Sequence, residues 1–159
     1  MGAARRWAWC SALMGGVLPV FLLAAAADNA KPTREGDEAR AAVQQVLEAQ
    51  VKAWNKGDLE GFMVGYWKDE GLTFFSGKDR TQGWQATLER YRKKYQAEGK
   101  EMGQLSFADL DIHIVGDKTA WVRGRWKLMT SKETFGGLFT LLVEKKADGW
   151  RIVHDHTSG

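Results

Sequence analysis

The sequence predicts an α+β fold in which three N-terminal helices are followed by a long antiparallel sheet that curves around them into a cone. The first observation is a change in hydrophobic period. Apolar residues recur every three or four positions in the first part of the chain, and alternate with polar residues from Leu105 onward. The second observation is a pair of glycine-containing turns, at 116–118 and 147–149, between alternating stretches. Strands joined by such turns pair antiparallel, and a strongly curved sheet of this kind encloses a pocket against the helices.

The N-terminus has the features of a secretory signal peptide. Two arginines, Arg5 and Arg6, precede a stretch without charge from 7 to 27 that ends in alanines. A retained anchor is the alternative, because the uncharged stretch is just long enough to cross a bilayer. The predicted organisation is a cleaved signal peptide at 1–27, a polar tether at 28–37 and a domain at 38–159. We therefore expect an exported protein, periplasmic or extracellular, with no stable membrane anchor after cleavage.

Charge and cysteine content exclude several classes of function. The chain has 23 lysines and arginines against 20 acidic residues, and without the two arginines of the leader the excess falls to one. Such a balance does not predict a nucleic-acid partner. The single cysteine, Cys10, lies within the leader, so the rest of the chain has no disulfide, thiol chemistry or cysteine metal site.

Three amphipathic helices are predicted at 38–55, 59–67 and 81–95, and a short strand at 72–76 separates the second from the third. Gly57 suits a left-handed cap at the end of the first helix. The apolar residues that form the buried faces of these helices are Val43, Val46, Leu47, Val51, Trp54, Leu59, Phe62, Met63, Tyr66, Trp84, Leu88, Tyr91 and Tyr95.

Four strands follow, at 105–115, 119–130, 136–146 and from Trp150 to the end of the chain. The second strand alternates clearly, with Ala120, Val122, Gly124, Trp126 and Leu128 on one side and Trp121, Arg123, Arg125, Lys127 and Met129 on the other. We expect the first side to be covered by the helices. The second side is basic and amphipathic, which suits solvent or a subunit interface.

The last strand carries a His-Asp-His sequence at 154–156. Strict alternation would place Trp150, Ile152, His154, His156 and Ser158 on one face, and Arg151, Val153, Asp155 and Thr157 on the other. Polar groups in the middle of a strand need partners or a wet cavity. We therefore predict that this strand forms a wall of the functional site.

Three stretches carry a resemblance to a known family: 112–117 (IHIVGD), 150–159 (WRIVHDHTSG) and 55–60 (NKGDLE). The first two resemble the runs His-Ile-His-Leu-Met-Gly-Asp and Trp-Gln-Ile-Val-His-Phe-His-Arg-Ser-Gly of the association (hub) domain of calcium/calmodulin-dependent protein kinase II. The third resembles its Asn-Gly-Asp-Phe-Glu entry to the second helix. The resemblance covers about 39–158 and implies the cystatin-like cone of the nuclear transport factor 2-like superfamily, which includes ketosteroid isomerases and SnoaL-like proteins. It does not settle function, because that cone hosts enzymes and non-catalytic hubs.

The chain departs from the hub in its pocket. The arginines that make the hub cavity cationic fall on Trp126, Leu141 and Thr157, none of which is basic. Asp155 stands where the hub has a phenylalanine. The comparison therefore predicts an aromatic pocket that holds one carboxylate.

The predicted pocket residues are Tyr66, Trp84, Tyr91, Trp126, Phe139, Asp155 and Thr157. In apolar surroundings the pKa of Asp155 would rise toward neutrality, as a general base or hydrogen-bond acceptor requires. The alternative is structural: Asp155 pairs with Arg123 or Arg125, or caps a backbone group.

His154 and His156 also allow two interpretations. A metal ion would need a third ligand, for which His113, Glu144 and Glu133 are candidates. The interpretation we favour is structural or subunit-facing, so no metal ion and no cofactor is predicted. The resemblance implies a homodimer, or a larger ring, formed through the outer sheet face, with Trp121, Arg123, Arg125, His154 and His156 at the interface.

Two classes of function remain open. The favoured one is a binding module that takes a small, mostly apolar molecule in the aromatic pocket and associates with itself through the sheet. The alternative is a cofactor-free enzyme of the ketosteroid isomerase or SnoaL type, in which Asp155 moves a proton and a tyrosine or histidine stabilises an oxyanion.

Overall fold

The computed structural model describes residues 34–159 and contains three helices, α1 (Arg34–Trp54), α2 (Leu59–Met63) and α3 (Trp84–Tyr95). The predicted leader and residues 28–33 of the predicted tether lie outside the described residues. In the described part no helix is long and apolar enough to cross a membrane.

The first helix begins at Arg34, before the predicted start at Glu38. Arg34 pairs with Glu38 one helical turn later at 3.1 Å, and Glu35 and Asp37 lie in the first turn. Acidic side chains there interact favourably with the helix dipole. A segment expected as a tether is thus helical in its last four residues.

In residues 34–159, six strands form one curved sheet in the order β2-β1-β6-β5-β4-β3, which confirms the α+β class. The strands are β1 (Thr73–Ser76), β2 (Asp79–Gln82), β3 (Gln104–Val115), β4 (Thr119–Met129), β5 (Thr134–Lys146) and β6 (Gly149–Thr157). The four long strands form the predicted antiparallel meander. β1 pairs parallel to β6, so the last strand of the chain lies in the interior of the sheet.

The short strand β2 replaces the predicted beginning of the third helix. Residues 79–82 pair antiparallel with β1 across a tight turn at Gly77, whose φ of 58° suits glycine. Gly83, with φ of 90°, then separates this strand from α3. The predicted helix at 81–95 is therefore too long at its N-terminal end, because backbone pairing with β1 overrides the local helical pattern.

The first helix packs on the concave face of the sheet, as predicted. Val43, Leu47 and Trp54 are buried, and the Trp54 indole donates a hydrogen bond to the Met102 carbonyl at 2.8 Å. Asn55 fixes the end of the helix to the sheet. Its side chain accepts from the Leu105 amide at 2.7 Å and donates to the Leu105 carbonyl at 3.0 Å.

A β-bulge in β6 changes which residues face the interior. Leu142 lies opposite His154, whereas the next residue, Val143, lies opposite Ile152, so Val153 is the extra residue. The strict alternation predicted for the last strand is therefore wrong. Trp150 and Ile152 lie on the inner face together with Asp155 and Thr157, while His154 and His156 lie on the outer face.

Candidate functional site

A cavity of about 780 Å³ lies between the helices and the concave face of the sheet. Its size falls within the range of small-molecule sites. Its aromatic wall consists of Trp54, Phe62, Tyr66, Phe74, Tyr91, Tyr95, Phe107, Trp126 and Phe139.

Asp155 places a carboxyl group in the interior of the cavity. In register on the sheet it lies between Phe74 of β1 and Leu141 of β5, and it is only 4% exposed. The Tyr66 hydroxyl donates to Oδ2 at 2.7 Å and the Thr157 hydroxyl donates to Oδ1 at 2.6 Å. Both carboxylate oxygens thus accept from neutral hydroxyls, and no cation pairs with Asp155 within residues 34–159.

Burial raises the pKa of Asp155 from 3.8 to about 6. The hydrogen bonds from Thr157 and Tyr66 and the charge of His156 oppose this rise, but desolvation prevails. A carboxyl group with this pKa exchanges a proton near neutral pH, which an exposed aspartate does not.

Two tyrosine hydroxyls beside this carboxyl group stay protonated. Burial raises the pKa of Tyr66 and that of Tyr91 well above the usual value, and in each case the negative charge of Asp155 adds to the effect. Tyr66 is placed here by backbone pairing: Gly65 and Trp67 each hydrogen-bond to Ile152 of β6 at 2.9 Å. A hydroxyl donor and a titratable carboxyl group are therefore held together at the inner end of the cavity.

The structure brings most of the predicted pocket residues together. Tyr66, Tyr91, Trp126, Phe139, Asp155 and Thr157 all line the cavity. Trp84, which was also expected there, is not on the wall. Its indole donates to the Met63 carbonyl at 3.0 Å, and the Lys68 ammonium lies 5.1 Å from its ring centroid. Trp84 instead packs the start of α3 against the end of α2 and the segment that follows it.

Several cavity residues were not predicted from the sequence. Trp54, Phe62 and Tyr95 were expected only as buried helix residues, yet they also line the cavity. Phe74 and Phe107 lie on the inner faces of β1 and β3, and the sequence signal that could have found them is their alternation with more exposed neighbours. The register of β1 beside β6, which puts Phe74 next to Asp155, has no such signal.

The arginines of the outer sheet face have partners of their own. Arg123 pairs with Asp111 at 2.6 Å, and Arg125 pairs with Asp109 at 3.0 Å, in both cases across β4 and β3. The alternative in which Asp155 pairs with either arginine is therefore wrong, since Asp155 points to the opposite face.

The outer face also carries the histidines. His154 Nδ1 lies 2.6 Å from the Thr73 hydroxyl, and the Phe75 ring contacts both His154 and His156, with centroids 4.9 and 6.1 Å apart. Burial lowers the pKa of His154, and the neighbouring His156 lowers it further. His113 stacks on Trp121 with centroids 4.7 Å apart.

No metal site is formed by these groups. Among the residues described, His, Cys, Asp and Glu side chains form no cluster of three or more that could hold a metal ion. The three candidate third ligands have other contacts or lie elsewhere. The His113 ring stacks on Trp121, and the Glu144 carboxylate pairs with Lys146 at 2.6 Å. Glu133 lines the mouth of the cavity.

A cone-shaped sheet that encloses a cavity behind N-terminal helices defines the nuclear transport factor 2-like class of proteins. Within that class, the model of the SnoaL-like domain family matches residues 43–159 of this chain. The chain belongs to the SnoaL-like domain family. Among curated proteins, no sequence matches it.

Solved structures agree with this assignment. The chain is 41% identical to a nuclear transport factor 2-like protein of unknown function from Shewanella oneidensis, with a TM-score of 0.71 over 75% of this chain and 98% of the other. A protein from Thiobacillus denitrificans assigned to the calcium/calmodulin-dependent protein kinase type II association domain is 21% identical, with a TM-score of 0.60 over 72% and 92%. A ketosteroid isomerase-like protein from Erwinia carotovora is 18% identical, with a TM-score of 0.59 over 77% and 96%. The two distant likenesses show the fold alone.

Proposed function

We propose that this protein binds a small, mostly apolar molecule in the cavity. The observation that carries the proposal is a cavity of about 780 Å³ with aromatic walls and a hydrogen-bonded carboxyl group at its inner end. Rings and aliphatic side chains supply apolar contact, and a few polar groups such as Asp155 fix the orientation of the ligand, as in most small-molecule sites.

The test of this proposal is native mass spectrometry of the protein purified from its own host. A bound molecule of a few hundred daltons that is retained in the native spectrum and released on denaturation is the expected result. The variant Phe139→Ala removes one ring of the wall, and Phe75→Ala removes a ring from the outer face as a matched control. A site in the cavity would be contradicted if both variants kept the bound molecule, or if both lost it to the same extent.

We also propose that the protein is a homodimer formed through the outer sheet face. Leu138 and Leu142 of β5 are 53% and 37% exposed there, and they lie in register beside Arg125 and Trp121 of β4. Arginine and aromatic side chains around exposed leucines are typical of interface cores.

Sedimentation velocity tests the dimer. Leu138→Lys should convert a dimer into a monomer, because two lysine charges would be buried against each other across a symmetric interface. Val64→Lys is the control, since Val64 is 61% exposed at the end of α2 and belongs to no strand. A wild-type monomer at micromolar concentration would reject the proposal.

Export rests on the sequence of residues 1–27, so we propose it on that basis alone. Expression of the full chain in its host, followed by cell fractionation and N-terminal sequencing, should find a mature protein that begins near Asp28 outside the cytoplasm. A cytoplasmic protein with an intact Met1 would refute export.

A second candidate function is proton transfer by Asp155. The observation that favours it is the pKa of about 6 at a buried carboxyl group. The Tyr66 hydroxyl donates to this carboxylate, and it becomes free to donate to developing negative charge once Asp155 has taken up a proton. The test screens cyclic ketones for exchange of α-hydrogens in deuterated buffer. Asp155→Asn should abolish exchange while the fold persists, whereas Thr157→Val, which removes only a hydroxyl on the same carboxylate, should reduce it.

A further inference from the structure

The mouth of the cavity differs in charge from its inner end. Three lysines line it: Lys94 from α3, Lys100 from the loop after α3, and Lys132 from the β4–β5 loop. Arg90 also lines the cavity, but it pairs with Asp79 at 3.7 Å and lies 5.4 Å from the ring centroid of Phe74, the neighbour of Asp155 on the sheet. Within residues 34–159, the carboxylates that line the cavity beside these lysines are those of Glu101 and Glu133. The mouth is therefore net positive, whereas Asp155 makes the inner end negative above pH 6.

The lysines at the mouth keep their charge available. In residues 34–159, none of Lys94, Lys100 and Lys132 forms an ion pair. The Lys94 ammonium lies 5.2 Å from the centroid of the Tyr95 ring, which lines the cavity. Glu101 accepts a hydrogen bond from the Ser131 amide, which lowers the pKa of that carboxyl, and the nearby charge of Lys132 lowers it further.

The shape of the cavity suits an elongated molecule. Its wall along β5 runs from Leu141, opposite Asp155, to Phe135 at the mouth. The six steps between these two residues of an extended strand span about 20 Å. Dividing the volume of about 780 Å³ by this length gives a mean cross-section of about 40 Å². A fused ring system or a long chain fits such a channel, and a folded peptide does not.

We infer that the ligand is an elongated amphipathic anion, bound with its apolar body against the aromatic wall and its anionic group among Lys94, Lys100 and Lys132. This inference rests on the proposed function and names the class of molecule that the same cavity takes. The orientation follows from charge: an anionic group at the inner end would be repelled by Asp155 in a poorly solvated space. The end that reaches Asp155 is then uncharged, and above pH 6 it is a hydrogen-bond donor such as a hydroxyl group.

Two fluorescent probes separate the anionic group from the apolar body. Anilinonaphthalene sulfonate and phenylnaphthylamine share the same rings, but only the first carries a charge. The mouth variant replaces Lys94, Lys100 and Lys132 with Gln. The control variant replaces Lys52, Lys56 and Lys118 with Gln, so that the net charge changes equally at exposed positions that do not line the cavity.

The mouth variant should bind the sulfonate probe about tenfold more weakly than the wild type, because three partly screened attractions are lost. It should bind the uncharged probe as the wild type does. The control variant should change neither affinity by more than about twofold, since at physiological salt charges farther away than about 8 Å are largely screened. The inference would be overturned if both variants lost affinity for the sulfonate probe equally, or if the mouth variant lost no affinity for it.

Ser76→Trp locates the probes. Ser76 lines the cavity in register with Thr157, so an indole at this position enters the open volume. Both probes should bind this variant at least tenfold more weakly, with no change in thermal stability. If the uncharged probe binds the wild type and Ser76→Trp equally, or does not bind the wild type, the proposed function fails. If the uncharged probe behaves as expected and only the charge effect is absent, the inference alone fails.

Discussion

The buried carboxyl group of Asp155 makes a quantitative prediction about stability. Its pKa is 3.8 in ordinary surroundings and about 6 in the folded protein, where burial disfavours the charged form. Each pKa unit corresponds to about 1.4 kcal/mol, so ionised Asp155 lowers the free energy of unfolding by about 3 kcal/mol at neutral pH.

The sign of the pH dependence follows from this pKa. The folded state holds the proton of Asp155 more tightly than the unfolded state, so the contribution of Asp155 to stability improves as the pH falls through 6 toward 4. Between pH 7.5 and pH 4.5 this improvement amounts to about 2 kcal/mol, since the unfolded state is still mostly ionised at the lower pH.

The perturbation that isolates this effect is Asp155→Asn, which keeps the shape of the side chain and removes its titration. We expect the free energy of unfolding of the variant, minus that of the wild type, to be about 2 kcal/mol more positive at pH 7.5 than at pH 4.5. Any constant difference caused by rearranged hydrogen bonds with Tyr66 and Thr157 cancels when the two pH values are compared.

Urea unfolding followed by tryptophan fluorescence at both pH values is the assay. Asp117→Asn, in the exposed turn between β3 and β4, controls for the loss of one negative charge. A difference for Asp155→Asn that does not vary with pH would mean that Asp155 does not titrate in a dry cavity. A difference that varies in the opposite direction would mean that the folded protein stabilises the carboxylate.

Two further predictions concern the surroundings of Asp155 and the end of β6. Tyr66→Phe should lower the free energy of unfolding by about 1.5–3 kcal/mol at pH 7.5 and by less at pH 4.5, because it removes a hydrogen bond to a charged group. The same urea titrations measure this loss, and an equal loss of stability at both pH values would contradict the prediction. Gly137→Ala should lower the melting temperature by several degrees in calorimetry, because its Cβ would come within 1.8 Å of the Ser158 carbonyl oxygen. Gly136→Ala is the matched control, with its nearest contact at 3.1 Å, and an equal loss in both variants would refute the steric explanation.

The sequence predicted best where strand pairing is regular. The residues of β4 pair with β5 from Thr119 to Met129 without a shift, so alternation assigned both faces correctly. Val122 and Leu128 are buried, while Arg123 and Arg125 are exposed. In a strand without a bulge, strict alternation assigns each side chain to the correct face.

The same rule failed at one position of β6, for an identifiable reason. The bulge at Val153 resets the alternation, so residues before and after it cannot both be assigned by counting in twos. Asp155 was placed in the cavity correctly because its face was inferred from Thr157, on the same side of the bulge. Trp150 and Ile152, on the other side, were misplaced.

Long-range pairing was the other limit of prediction. Nothing local in the sequence shows that β1 lies parallel to β6, yet this pairing puts Phe74 beside Asp155. The misplacement of Trp84 has a local origin, in the hairpin that β1 and β2 form. It was expected to point into the cavity from a helix beginning at Thr81, but β2 occupies those residues and Trp84 becomes the first residue of α3.

The energetics of Asp155 argue for a functional role. Asp155, which forms no ion pair within residues 34–159, lowers the stability of the fold by about 3 kcal/mol at neutral pH, and an uncharged residue of similar size would avoid that loss. Proteins retain such groups where activity or binding requires a destabilised site. The bulge at Val153 supports the same conclusion, because it turns Asp155 toward the cavity while His154 and His156 remain on the outer face. One strand thereby serves both the ligand site and the proposed dimer surface, and substitutions on its two faces should separate binding from self-association.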